Sequence, residues 1–388
     1  MRKICTLIIL VISSFSSNAQ WTITTGPVEP DVTSLAANDT VLMAGCSSAS
    51  TNVGGHRSLD NGDNWSVTGL NLVSKFSALA IDNSNGYVYA GGQNALYKST
   101  DKGVSFVNIN NGLSPYTVHD IIIDGNNLYA SAQGIYYSSN SGLNWSLISS
   151  VFSSYQMDKS GNNIIVGSTT SGLYLSNNNG SSWVNLTTGI PANIADVKIV
   201  GSNYLAATST GIYMSTNNGA SWTLTNLTSI TNCIYQVGST LFAGTSNDGV
   251  FYSTNGGSTW VANNSGLTNL TVYSLTSNST YLFAGTTGYV FRIPLSDFGI
   301  TTGVSQQPIS VENINISPNP TTGIFNITQP EAKEIEIAVY NTIGENVFNS
   351  TTSDKTTTLN IRQLNKGIYI IKITDEAKNT IVKKVVLE

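Results

Sequence analysis

Charge is what this sequence has least of. Its 388 residues include 17 Lys and Arg, 22 Asp and Glu and 2 His, so 10% of the chain is charged where an ordinary soluble domain carries about 25%. With a formal net charge of −5, no general cationic field exists to hold a phosphate backbone, which argues against nucleic acid as a partner. Cysteine is scarce too. Cys5, Cys46 and Cys233 make neither a disulfide framework nor a zinc spacing, and His56 and His119 cannot be placed in a Ser-His-Asp order. Long apolar runs are also missing. The run Thr6 to Ile12 is far shorter than the roughly 20 residues of a spanning helix, and no Gly-rich phosphate loop between a strand and a helix occurs. Neither a metal nor a cofactor is expected.

The residues that are present suit many short strands joined by turns. Hydrophobic residues make up 40% of the chain, with 35 Gly and 18 Tyr, which excludes disorder and allows two domains. Arg2 and Lys3, the apolar Thr6 to Ile12 and the small residues up to Ala19 read as a secretory signal peptide over residues 1–20, with cleavage near Gln20. Cys5 lies inside it rather than after it, so no lipid attachment is expected. Cys46 and Cys233 then remain as two separate buried thiols.

Self-comparison uncovers a repeat. Ser58-x-Asp60-x-Gly62-x-x-Trp65 recurs as Ser99, Asp101, Gly103, Phe106; then Ser138, Asn140, Gly142, Trp145; then Ser176, Asn178, Gly180, Trp183; then Ser215, Asn217, Gly219, Trp222; and Ser253, Asn255, Gly257, Trp260. The Asp or Asn steps by 41, 39, 38, 39 and 38 residues. An acidic or amide oxygen accepts turn amides, Gly supplies a positive φ and the aromatic ring packs the turn onto a sheet. Asn replaces Asp in four of six copies, which a turn tolerates and a calcium site would not. This pattern resembles the Asp-box (BNR repeat) of sialidase-like β-propellers, and it covers nearly all of the chain before residue 300.

Each repeat adds further strand signals. One strand ends in small residues, as in Ala44-Gly45-Cys46 or Ala206-Ala207-Thr208, and occurs seven times. The next carries an aromatic: Tyr97, Tyr136, Tyr174, Tyr213, Phe251 and Phe291, with His56 in the first repeat. The seventh repeat lacks both box and fourth strand, whereas Trp21 to Gly26 begins where every box ends. The expected architecture is all-β: a seven-bladed propeller over residues 21–303, closed by its N-terminal strand.

The composition then changes. Residues 21–303 hold 7 basic and 13 acidic side chains, about 7%, and residues 304–388 hold 8 and 9, or 20%. Residues 304–312 read as a linker. Alternating strands follow at 314–316, 324–327, 335–340, 359–361, 367–373 and 382–387, as in a small immunoglobulin-like β-sandwich. Ser317-Pro318-Asn319-Pro320-Thr321-Thr322-Gly323, then Val339 to Gly344, then Leu364 to Gly367 and Tyr369 resemble the type A C-terminal sorting domain of the type IX secretion system of Bacteroidetes. That resemblance implies that residues 313–388 engage the type IX translocon, by way of the periplasm, and that the protein is secreted or held at the cell surface.

Sialidases use an arginine triad with Tyr, Glu and Asp. Residues 21–303 contain only Arg57, Arg292 and one glutamate, Glu29, so sialidase activity is disfavoured; an Arg-rich patch like that of the photosystem assembly factors is absent too. A glycosidase with two carboxylates needs acids roughly 5 to 10 Å apart. Asp39, Asp82, Asp124 and Asp158 are assigned to turns after the first strand of a repeat. Asp120 and Asp196, with His119 beside the former, precede first strands where other repeats have Ser34, Ser77, Ser154, Asn232 and Ser274. They are the candidate acid pair, against the simpler reading that they cap strand starts. The expectation is a non-catalytic binder of a glycan or a protein, with an extracellular glycoside hydrolase as the alternative and a structural adhesin of the surface layer as a third option.

Overall fold

The structure, a computed structural model, describes residues 20–28, 31–47, 54–70, 76–150, 156–300, 314–329, 335–342, 345–375 and 380–388. The signal peptide assigned to residues 1–20, apart from Gln20, lies outside them, as do the linker 304–312, Ser154 and Gly344. The chain divides into two compact units, residues 1–302 and 303–388.

The first unit consists of seven four-stranded antiparallel sheets. Their first strands are Val32–Ala37, Phe76–Ile81, Asp120–Asp124, Gln156–Ser160, Ile194–Val200, Thr231–Val237 and Val272–Ser277. Each touches the first strand of the next sheet, and the seventh touches the first, so these strands form a closed circle. The second strands end in the small residues noted above. In every sheet an Ala or Val there pairs with the aromatic of the third strand: Ala44 with His56, Ala90 with Tyr97, Ala130 with Tyr136, Val166 with Tyr174, Ala206 with Tyr213, Ala243 with Phe251 and Ala284 with Phe291. A small residue opposite a ring leaves room for the ring on a crowded face.

The glycines on the second strands have a different cause. A Cβ at Gly167 would stand 2.6 Å from Ile194 Cγ2, one at Gly244 2.6 Å from Val272 Cγ1, and one at Gly91 2.8 Å from Val118 Cγ1. Each neighbour belongs to the following sheet or its lead-in. Missing side chains therefore set how closely consecutive sheets approach.

The seventh sheet takes its fourth strand from the start of the chain. Thr22–Ile23 pairs with Val290–Pro294, Thr22 opposite Arg292 and Ile23 opposite Phe291. Trp21 is 1% exposed, and its indole Nε1 donates to the Asn263 carbonyl at 2.8 Å. A 3-10 turn, Leu295–Phe298, ends the unit.

The second unit has a three-stranded sheet, Asn315–Ser317, Ile324–Thr328 and Thr356–Asn360, and a four-stranded one, Asn346–Thr352, Ile335–Tyr340, Gly367–Asp375 and Thr380–Leu387. Alternation points Phe325 and Ile327 of one sheet and Ile337, Val339, Ile371 and Ile373 of the other into a single core. Asn346–Thr352 was not read from the sequence. It offers only Val347 and Phe348 as apolar residues, both half-buried, so its pattern carries no strand signal.

Candidate functional site

The six repeated turns share one hydrogen-bond design. The Ser hydroxyl donates to the Asp or Asn Oδ1 at 2.7–2.9 Å and accepts from the Gly N–H at 2.8–3.0 Å. The same Oδ1 accepts the N–H four residues after the Asp or Asn at 2.8–3.0 Å. Exchanging Asp for Asn reverses only the outer bond. Asn64 and Ser105 donate to Asp60 and Asp101, whereas Asn178, Asn217 and Asn255 donate to Ser182, Ser221 and Thr259. These bonds hold Asp60 and Asp101 below the usual carboxylate range, Asp101 at about 2 through Ser105 first. Both acids are committed to the turn.

Among the described residues of this unit, both arginines clasp turns as well. At the same place in their sheets, Arg57 reaches the Lys102 carbonyl at 3.4 Å, and Arg292 reaches the Asn61 carbonyl and Asp63, both at 2.7 Å. Each thereby ties its sheet to the turn of the next.

The circle of first strands encloses a cavity of about 240 Å³, whose lining includes His119, Asp120, Gln156, Asp158, Asp196 and Lys198. The strands meet there edge to edge, with unpaired backbone groups facing the neighbouring sheet, and side chains bridge them. Asp120 takes the N–H of Ile121 at 2.8 Å and that of Met157 in the next sheet at 2.7 Å. Asp196 does the same with Val197 at 2.7 Å and Ile234 at 2.6 Å. Asp158 takes Ile199 N–H at 2.7 Å and Lys198 Nζ at 2.9 Å. Ser34 donates to the Phe76 carbonyl, Asn232 Nδ2 to Val272 and Ser274 to Val32, so at least six sheet junctions carry such a bridge.

Asp120 and Asp196 thus lie in one cavity although their sheets are not neighbours. Crowding by protein is the largest influence on both. It raises Asp120 to about 6 against its two backbone bonds, with Asp158 adding to the rise, and Asp196 to about 7, with Asp120 adding to the rise. Burial works against the Lys198 ammonium, and the Asp158 carboxylate outweighs it, leaving its pKa raised. His119 accepts a weak bond at its carbonyl from Gln156 Nε2, 3.4 Å.

Three readings of this region need correction. Asp158 is not in a turn: it stands mid-strand opposite Ile165, the place that Ile122 takes opposite Tyr129. Its strand, Gln156–Ser160, has Met157 as its one apolar residue, so it was read as the turn. Asp120 and Asp196 lie within their strands rather than ahead of them. Their equivalents by register are Ser34, Ala78, Gln156, Cys233 and Ser274. Irregularities in five first strands displace the alignment, which is why Ser77 and Asn232 had been matched instead. Asp158, Lys198 and Gln156 were missed as channel residues, Gln156 and Asp158 because their strand was taken for a turn.

Cys46 is a buried thiol and Cys233 a half-buried one on the channel, where burial pushes its pKa up. Among the described residues no three His, Cys, Asp or Glu side chains come together as a metal cluster, and no helix is long and apolar enough to cross a membrane.

In the second unit the Pro318-Asn319-Pro320 segment docks on the last strand. Asn319 accepts Val386 N–H at 2.9 Å and donates to the Lys384 carbonyl at 2.8 Å. Gly323 has φ 101°, and a Cβ there would meet the Arg362 backbone at 2.8 Å. Tyr369 donates to the Asn365 carbonyl at 2.7 Å, closing the loop before Gly367.

Comparisons with known proteins divide along the same line. Residues 315–388 match the family described as secretion system C-terminal sorting domain. The fold is similar to that of PorZ, a surface component of the type IX secretion system of Porphyromonas gingivalis, with a TM-score of 0.56 and 15% identity. That match covers 94% of this chain and 60% of PorZ, so the chain spans less than two thirds of it. YCF48 from Cyanidioschyzon merolae matches 71% of the chain over 98% of its own, TM-score 0.56 and 14% identity. The WD40 β-propeller domain of Doa1 matches 71% over 96% of its own, TM-score 0.56 and 12% identity. An endo-acting ulvan lyase of Formosa agariphila is 26% identical over 86 residues, 22% of this chain and 17% of the lyase. The chain is therefore a β-propeller protein of Bacteroidetes that ends in a type IX secretion system sorting domain and is exported to the cell surface or beyond.

Proposed function

We propose that this exported protein is a non-catalytic binding module whose ligand is a glycan or a protein. Seven four-stranded sheets, their closed circle of first strands and the pairing of Thr22–Ile23 with Val290–Pro294 support a seven-bladed Asp-box propeller completed by its N-terminal strand. The single core between the two tail sheets supports an immunoglobulin-like sandwich over residues 313–388, behind the linker 304–312. A signal peptide over residues 1–20 fits passage of the inner membrane, and the tail then addresses the type IX translocon.

The observation that carries the non-catalytic reading is the bonding of Asp120 and Asp196. Both oxygens of each carboxyl take backbone N–H groups, and stitching sheets together is a task that chemistry at the same oxygens would undo. The cavity between them, about 240 Å³, is also below the roughly 300–1,000 Å³ of ligand pockets. Arg57 and Arg292 hold neighbouring turns, which weighs against a sialidase. The hydrolase alternative rests on the raised pKa values of the two acids, a property of general acids.

A glycan array and a panel of polysaccharide substrates, tested with the wild type and with Asp120→Asn/Asp196→Asn, separate the two. Binding without cleavage in both proteins is expected. Cleavage by the wild type that disappears in a folded double variant would overturn the proposal in favour of a hydrolase.

A further inference from the structure

Register places one side-chain pair at the same point in every sheet, between the second and third strands. The pairs are Met43 with Arg57, Tyr89 with Lys98, Tyr129 with Tyr137, Ile165 with Leu175, Leu205 with Met214, Phe242 with Tyr252 and Phe283 with Arg292. Two of them are aromatic on both strands, those of the third and sixth sheets. In the sixth, the chain itself covers the pair. Phe298, from the 3-10 turn, packs edge-on at 4.8 Å from Phe242 and 5.3 Å from Tyr252. This position can therefore receive a flat six-membered ring.

In the third sheet the equivalent pair has its centroids 5.1 Å apart, with Tyr129 buried and Tyr137 half-buried. It lines a groove of about 610 Å³ toward the fourth sheet, within the size range of ligand pockets. The rim differs from that of the sixth sheet. Asn127, Asn162, Asn179 and Ser181 surround the rings, and Tyr137 Oη donates to Asn127 Oδ1 at 2.8 Å. The two charges in the groove, Lys159 and Asp124, neutralise each other at 2.8 Å, with the ammonium 5.8 Å from the Tyr129 ring centre. An aromatic floor, amide and hydroxyl groups on the rim and no net charge describe a counterpart for a ring with an apolar face and a hydroxylated edge.

We propose that the groove between the third and fourth sheets binds a neutral pyranose unit of a glycan, its C–H face on Tyr137 and its hydroxyls on Asn162, Asn179 and Ser181. The proposal rests on the binding role above and names its ligand class and place. It leaves the channel acids uninvolved. An aromatic side chain of a protein partner would satisfy the floor but leave the polar rim unused.

The test is calorimetric titration of the full-length mature chain with cellohexaose, xylohexaose, mannohexaose and maltohexaose, and with polygalacturonate as an acidic control. Tyr137→Leu installs the residue that the fourth sheet has at this place, Leu175, and Asn162→Ala changes an exposed side chain, so both variants should fold. At least one neutral oligomer should bind, weakened tenfold or more by either variant and unchanged by Asp120→Asn. A neutral oligomer that binds equally well to both variants overturns the groove while leaving a binding module intact. Binding of polygalacturonate alone, or of no sugar, overturns the neutral-pyranose assignment; cleavage of any oligomer instead overturns the non-catalytic reading beneath it.

Discussion

Ser176 and Asn178 show how differently two residues of one motif respond to change. The Ser176 hydroxyl is buried, donates to Asn178 and receives the Gly180 N–H, so Ser176→Ala leaves that N–H without a partner and should cost about 1–3 kcal/mol. Asn178→Asp keeps the Oδ1 acceptor and lets the Ser182 hydroxyl turn round, and should leave the melting temperature at pH 7 within about 1 °C; thermal unfolding of the two variants checks the contrast. The channel acids respond to pH in the opposite sense to the turn acids. Asp120 and Asp196 hold their protons more tightly in the folded chain than at the ordinary value of 3.8. Their contribution to stability is whole below about pH 4 and is lost as the pH rises through about 6 and 7, at about 1.4 kcal/mol per tenfold difference in proton affinity. Urea midpoints should therefore fall between pH 5 and pH 8, and Asp120→Asn/Asp196→Asn should flatten that slope. An equal slope in the variant would show that other groups cause it. The box residues were legible because each must appear in every copy. The channel acids were legible only as exceptions to the repeat, and their partners were not, because an Asp that bonds a backbone N–H asks nothing of the residue type on the other side.

At the scale of elements, strands announced themselves when they carried a run or an alternation of apolar residues, and failed when they did not. Ile121-Ile122-Ile123 was read correctly; Gln156–Ser160 and Asn346–Thr352, with one and two apolar residues, were not. Register was the weaker part of the sequence reading. A single irregularity in a first strand shifts every later side chain by one place, and five sheets have one. The N-terminal strand is the element with the largest consequence for its length. Only Thr22–Ile23 is laddered, but Trp21 is buried beside it with its indole bonded to Asn263. Trp21→Ala should cost about 3–5 kcal/mol, and deletion of residues 21–26 should lower the melting temperature further by opening the edge of Val290–Pro294. An unchanged melting temperature would show that the seventh sheet does not depend on this strand.

For the whole molecule, the two units differ in composition. The first is poor in charge and rich in exposed Asn, Ser and Thr; the second has ordinary polarity and carries the export signal at 315–388. Deleting residues 303–388 should leave the propeller in the periplasm, measured by cell fractionation, and surface display of the truncated chain would contradict the assignment. The sequence by itself determined the repeat, the number of box turns, the strand borrowed from the N-terminus and the sorting tail, because each is a local pattern that every copy must satisfy to fold or to be exported. The tertiary structure alone decided what faces what: that acids 38 residues apart share one channel with Lys198 and that Tyr129 and Tyr137 line a groove where Phe298 packs on their counterparts. Those are relations between sheets, set by closure of the circle, and no single repeat encodes them.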